Sequence, residues 1–133
     1  SIMDILTNNT HRYTEAMISR GELEKLALFV SLGQIDMDLH VDRATLKARG
    51  DAGRGAPTYQ TICAVCHGFE GKSLNFGKPD APEFVGTVSR ENPWEFMHKA
   101  RFGQPGIPMI SLITLPDSTI TDLLAFTQTL PAK

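Results

Sequence analysis

The sequence predicts an all-α fold, and three observations carry that prediction. Apolar residues recur at helical spacing in two segments far apart in the chain. Several segments open on capping residues and close on glycine or proline. Valine and isoleucine are scattered, and no run alternates apolar with polar residues over the length of a strand.

The first clear element starts at Ser19-Arg20-Gly21-Glu22, a capping box in which Ser19 bonds forward and Glu22 reaches back to free backbone donors. Leu23, Leu26, Ala27 and Val30 then fall at i, i+3, i+4 and i+7, and Gly33 is a plausible stop. Residues 34–50 read as an extended crossing followed by a short helix around 44–48. Gly50-Asp51-Ala52-Gly53 marks a boundary, dividing an N-terminal helical extension (1–49) from the main domain (50–133). A second helix starts near 52–56 and runs into a cysteine pair. From His67 to about Glu91 the chain reads as loop, punctuated by glycine and proline. A loop of that length in a small domain calls for a reason, and wrapping a bound group would supply one. A third helix fits residues 93–102, with Asn92 as N-cap, Pro93 at the first helical position and Gly103 as its end. Gln104-Pro105-Gly106-Ile107-Pro108-Met109 is too rich in proline and glycine for helix or strand. The last helix covers about 118–130 and closes at Pro131. Its Ile120, Leu123, Leu124, Thr127 and Leu130 form one stripe, with Phe126 beside it.

The bulk properties exclude several function classes. At 133 residues the chain suits one domain with its own core. A formal net charge of -2, with acidic and basic residues mixed throughout, argues against a nucleic-acid partner and against a polybasic membrane tail. No apolar stretch approaches the roughly 20 residues that span a bilayer, so no transmembrane segment is expected. The opening Ser1-Ile2-Met3-Asp4 lacks the basic-then-apolar pattern of an export signal, which leaves a chain never exported or one already processed. There are only two cysteines, three positions apart, too few and too close for a disulfide scaffold.

Those two cysteines carry the chemistry. In Cys63-Ala64-Val65-Cys66-His67, two thiols on one turn of chain can each add to a vinyl group of haem as a thioether. The histidine that follows can turn its imidazole onto the iron. This string is the attachment signature of c-type haem, and histidine is the usual proximal ligand. A structural zinc site would need four Cys or His ligands in two clusters, whereas His11, His40 and His98 are widely spaced. A thioredoxin-like pair would follow a strand in an α/β pattern that this chain lacks. The plainest rival is a helix with two small buried thiols and an exposed histidine.

Met109, in the loop Gly106-Ile107-Pro108-Met109, is the candidate sixth ligand. Pro105 and Pro108 would stiffen that loop, and a thioether raises a haem potential and blocks the distal position. The competing reading is an apolar filler, the usual use of methionine. Met97 and His98 sit inside an expected helix with less freedom to reach iron. The apolar residues between the two ligands, among them Phe69, Leu74, Phe76, Phe84, Trp94, Ile107 and Ile110, could wall a flat apolar disc. Arg90, Lys99, Arg101 and the indole of Trp94 are candidate donors to its two propionates.

In the order helix, Cys-x-x-Cys-His, long loop, helix, Pro-Met loop and C-terminal helix, the chain resembles the class I family of bacterial monohaem cytochromes c over about residues 50–131. That family places a glycine and an aromatic ahead of the first cysteine at four-residue intervals, and Gly55, Tyr59 and Cys63 keep the spacing. Leu123 and Phe126 are similar to the apolar and aromatic pair on its C-terminal helix. A glycine at position 55 would let two helix backbones approach closely. The resemblance implies a class I cytochrome c fold around one covalent haem c, with iron ligated by His67 and Met109. It implies a one-electron carrier rather than an enzyme, a periplasmic location with the signal removed, and transient docking to redox partner proteins, as a monomer. An outer-membrane iron-oxidising conduit or another donor, passing electrons to an inner-membrane acceptor, would suit it. The alternatives are a haem enzyme or gas sensor with an open distal site, or a subunit docked permanently in a larger oxidoreductase. Residues 1–49 depart from the family pattern and read as an added helical element.

Overall fold

Asp51 begins the central helix because its carboxylate accepts the Arg54 N–H at 2.9 Å, covering a donor that the first turn leaves unpaired. In a computed structural model, which describes residues 1–8 and 10–132, this helix is α3, Ala52–Thr58. The other α-helices are α1 (Ile2–Thr7), α2 (Arg20–Leu28), α4 (Ala64–His67), α5 (Val85–Glu91), α6 (Pro93–Phe102) and α7 (Asp117–Thr127). Among the described residues there are isolated β-bridges and no strands, so the fold is all-α.

The chain forms two compact units, Ser1–Ile35 and Asp36–Lys133. In the first, the Ser19/Glu22 capping box forms as the sequence predicts, with Ser19 N–H donating to Glu22 Oε2 at 3.0 Å and Glu22 N–H to Ser19 Oγ at 3.4 Å. A small core of Leu6, Leu23 and Ala27 joins α1 to α2. Helix α1 was not expected. It is capped by Ser1, whose Oγ accepts the Asp4 N–H.

In the second unit α3 crosses α7. A methyl group on Gly55 would collide with the Asp122 carbonyl, so the two backbones meet there as the sequence suggests. Tyr59 and Phe126 pack beside the crossing with their rings tilted and centroids 5.3 Å apart. On α7 the stripe of Ile120, Leu123, Leu124 and Thr127 is buried as expected; the helix ends at Thr127 rather than near 130, and Leu130 is buried in the turn beyond it. Asn92 caps α6 and Gly103, at φ +75°, ends it.

Three expectations are corrected. The unit boundary falls at Ile35/Asp36, not at Gly50, because residues 40–48 are bonded to the later helices. Gln128 accepts the Ala48 N–H at 3.0 Å and donates to Leu46 O at 2.7 Å. His40 Nδ1 lies 2.6 Å from Thr121 Oγ1; that hydroxyl donates to Asp117 O, so the imidazole is the donor between them. No helix forms at 44–48, where the Asp42 carboxylate takes the Ala44 and Thr45 N–H groups and Leu46 turns to φ +58°. The loop after His67 ends early, at α5, which is built by tertiary contacts. Gly86 lets it approach the Leu130 carbonyl, Ser89 meets Thr127 at 2.9 Å, and Arg90 donates to Gln128 O and Leu130 O at 2.7 Å each.

The α3–α7 crossing also carries an ion pair. Asp122 accepts from Arg54 Nε at 2.7 Å, Arg54 Nη2 at 3.0 Å and the Asp51 N–H at 2.7 Å. The Arg54 hydrogen bond, helped by the Asp51 N–H, holds this carboxyl below its ordinary value of 3.8. A depressed folded pKa contributes stability that is present above the unfolded pKa and lost as pH falls through the folded one. Asp122→Asn is therefore expected to lower the urea midpoint at pH 7, with the gap to wild type closing in strong acid. Urea titrations at the two pH values check this; a gap of unchanged size in acid contradicts it.

Candidate functional site

The site lies where α3 runs into α4. Pro57 lacks the N–H that an α-helix interior needs, and two residues later the helix widens into a π turn at Tyr59–Cys63. There the Ala64 N–H reaches back to Tyr59 O. Single π turns within helices recur at functional sites. This one leads directly into α4: Cys63 ends the π turn and caps α4, and Cys66 and His67 follow on α4 at i+3 and i+4, so the three share a face.

Both cysteines are free thiols, Cys63 half-buried and Cys66 exposed. Burial, with Cys66 alongside, pushes the Cys63 thiol up to about 11, so it stays protonated at neutral pH. A thioredoxin-type pair works through a thiol whose pKa is lowered, so that rival loses support. Burial holds the His67 imidazole below its ordinary pKa of 6.5, which keeps it in the neutral form that binds metals. Its ring meets the edge of Phe76 at 5.8 Å, and its Nδ1 is buried without a partner. Among the described residues no group of three His, Cys, Asp or Glu side chains could hold a metal ion, which disfavours the zinc reading.

The loop after His67 is ordered by its own hydrogen bonds. Ser73 N–H donates to His67 O at 3.0 Å and Gly71 N–H to Gly68 O at 3.0 Å. Farther on, Asn75 Oδ1 accepts the Gly77 and Glu83 N–H groups at 2.9 and 3.0 Å. The Tyr59 hydroxyl donates to Gly68 O at 2.8 Å, and burial pushes its pKa up to about 12, so it remains a donor.

Met109 is half-buried in the loop after α6, its N–H donating to Ile107 O at 2.8 Å, and Pro108 beside it is exposed. No described contact links Met109 to His67. The rival ligands are occupied otherwise. Met97 is 0% exposed in the core, and His98 packs on Phe102 with centroids 4.9 Å apart. His40 is bonded to Thr121, and His11 stacks on Tyr13 in the first unit. Of the candidate propionate donors, Arg90 caps the end of α7. Lys99 pairs with Glu95 at 2.5 Å. Arg101 Nη1 donates to Leu115 O at 3.0 Å and sits 2.7 Å from Asp117 Oδ1, tying the loop to the start of α7. Trp94 is half-buried in the first turn of α6.

Exposed apolar side chains decide whether these residues fit a haem. Scattered exposure is ordinary on any surface. In the second unit, however, every large exposed apolar side chain among the described residues except Leu39 lies in one of two stretches, one beside each candidate ligand. Val65 (81% exposed), Phe69 (72%), Leu74 and Phe76 flank His67; Ile107, Ile110 and Ile113 flank Met109. Two free thiols and a neutral imidazole form a donor set, and the two apolar stretches supply the walls, that a covalently held apolar disc would need. The sequence pointed to the cysteines, His67 and Met109; it gave no sign of the Tyr59–Gly68 bond or of Asn75 as organiser of the loop. In comparisons with family models, curated proteins and solved structures, nothing matches this chain.

Proposed function

We propose that this protein is a monohaem c-type cytochrome of the class I kind, carrying single electrons between redox partner proteins in the periplasm. The observation that carries the reading is the one-turn placement of Cys63, Cys66 and His67 beside exposed apolar residues. Haem c, when bound, supplies an iron centre that alternates between ferric and ferrous states. Cys63 and Cys66 would hold it through thioethers, and His67 in its neutral form would furnish a nitrogen ligand. Met109 would furnish a thioether sulfur ligand. Were His67 and Met109 both to bind the iron, no position would be left for a substrate, which favours a carrier over an enzyme. Trp94, Pro108 and the remaining donors of Arg101 would border the group. The reading includes a periplasmic site, because haem of this type is attached to exported chains in the family that this sequence resembles. Partners would dock briefly through a small interface of the transient kind.

The test is the intact mass of denatured protein made in a host that exports it and attaches haem c. A mass heavier by one haem, lost when both cysteines are replaced by serine, is the expected result. A wild-type chain that leaves this host without covalent haem would sink the proposal.

A further inference from the structure

Tyr59 heads the fully buried side chains by size, at 1% exposure. To fill the α3–α7 crossing only its ring is needed, and that ring packs on Phe126. The hydroxyl is a separate matter, since a buried O–H left unpaired is costly. It reaches across to the carbonyl of Gly68, the residue directly after His67, where the chain leaves α4 at φ +77°. The same carbonyl accepts the Gly71 N–H, while the His67 carbonyl accepts the Ser73 N–H. The peptide that follows the imidazole is thus held from the helix crossing on one side and from the loop on the other.

The imidazole itself lacks such support. A metal-binding histidine is normally oriented by a hydrogen bond to its second ring nitrogen, but His67 Nδ1 is buried with no partner. Its ring direction therefore depends on the backbone from which it projects and on the edge of Phe76.

We infer that Tyr59 is a positioning residue for His67: its hydroxyl, through the Gly68 carbonyl, fixes the turn that aims the imidazole. This inference rests on the proposed haem function. Tyr59→Phe keeps the ring against Phe126 and removes only the donor. In the holoprotein it should raise amide exchange at Gly71 and Ser73 about fivefold to tenfold relative to the interior of α7, as loss of one buried hydrogen bond implies. It should also move the hyperfine-shifted His67 ring resonances of the oxidised protein. Asp122→Asn, which weakens the helix crossing without touching the turn, should leave those resonances in place. Unmoved resonances with an unchanged exchange ratio in Tyr59→Phe, or equal displacement by Asp122→Asn, overturn the inference while the haem reading stands. Absence of covalent haem by mass overturns both. Should Tyr59→Phe yield no holoprotein, the wild-type spectrum decides. A slowly exchanging Tyr59 hydroxyl proton with a cross-peak to Gly68 supports the bond, and one that exchanges freely with solvent refutes it.

Discussion

Gly55→Ala is expected to lower the thermal unfolding midpoint by roughly 10 °C or more. The added methyl group meets the Asp122 carbonyl and the Leu123 nitrogen, which are backbone atoms and cannot rotate aside as a side chain would. Overpacking of a close contact costs about 1–3 kcal/mol, occasionally more. A helix-to-helix backbone contact belongs at the upper end of that range, because relieving it separates α3 from α7 along their length. The Tyr59–Phe126 ring contact and the Arg54–Asp122 bonds lie on the same crossing and would loosen together. For a domain of this size about 3 kcal/mol corresponds to a shift on the order of 10 °C. Gly53→Ala, in the same helix, is the control: its methyl group meets only the Asp51 carboxylate, at 3.1 Å. Its midpoint should move much less. Circular dichroism melts of the two variants and wild type check the pair. A Gly55→Ala midpoint within about 2 °C of wild type would show that the crossing is looser than the geometry requires.

Gly55 also shows what kind of information the sequence carries plainly. A glycine and an aromatic four residues apart ahead of a cysteine is a local pattern, and its physical meaning, close approach followed by ring packing, is fixed by helix geometry. The Ser19/Glu22 box, the Asn92-Pro93 start and the Gly103 stop are local in the same sense, and all form where expected. The misreadings fall where side-chain bonds override propensity, most of them made by distant residues. Val85-Gly86-Thr87-Val88 is a poor helix former by propensity, yet α5 forms because Gly86 sits against the end of the chain and Arg90 and Ser89 bond to residues of the C-terminal segment. Residues 44–48 carry helix-favouring alanines, but Asp42 captures the nearby N–H groups and Gln128 draws the segment onto the C-terminal helix. Gln128 shows nothing of this in sequence, since its partners at Leu46, Ala48 and Ser89 are scattered through the preceding chain.

The candidate site divides along the same line. Cys63, Cys66 and His67 are legible because the proposed haem attachment needs them within one turn. The propionate donors were guessed from residue type alone, and the structure gives Arg90 and Arg101 other work, binding carbonyls at the two ends of the C-terminal segment. Charge and position along the chain do not reveal whether a guanidinium faces a ligand or a helix end. Met109 falls between these cases: Pro105 and Pro108 ahead of it narrow the loop's conformations, but nothing in the local sequence says what its sulfur faces.

Met109→Ala puts that role to a direct measurement. If the sulfur ligates ferric iron, oxidised wild type shows a weak red sulfur-to-iron band, and the substitution abolishes it while covalent attachment through Cys63 and Cys66 persists. The reduction potential should fall, because a thioether ligand raises it. The fall should be on the order of a hundred millivolts, within the roughly 0.8 V span that axial ligands set. The reduced variant should also bind carbon monoxide rapidly where wild type binds it slowly, since the distal position is then open. Met109 is half-buried in a loop with exposed neighbours, so the truncation removes little core and the fold should survive it. Burial of Met97 and the packing of His98 on Phe102 leave neither residue placed to substitute for the lost sulfur without unpacking α6. A wild-type protein that already lacks the red band and binds carbon monoxide at once would instead have an open distal site. The same residues would then serve a gas-binding or catalytic haem, with Cys63, Cys66 and His67 unchanged in their roles and Met109 reduced to an apolar filler.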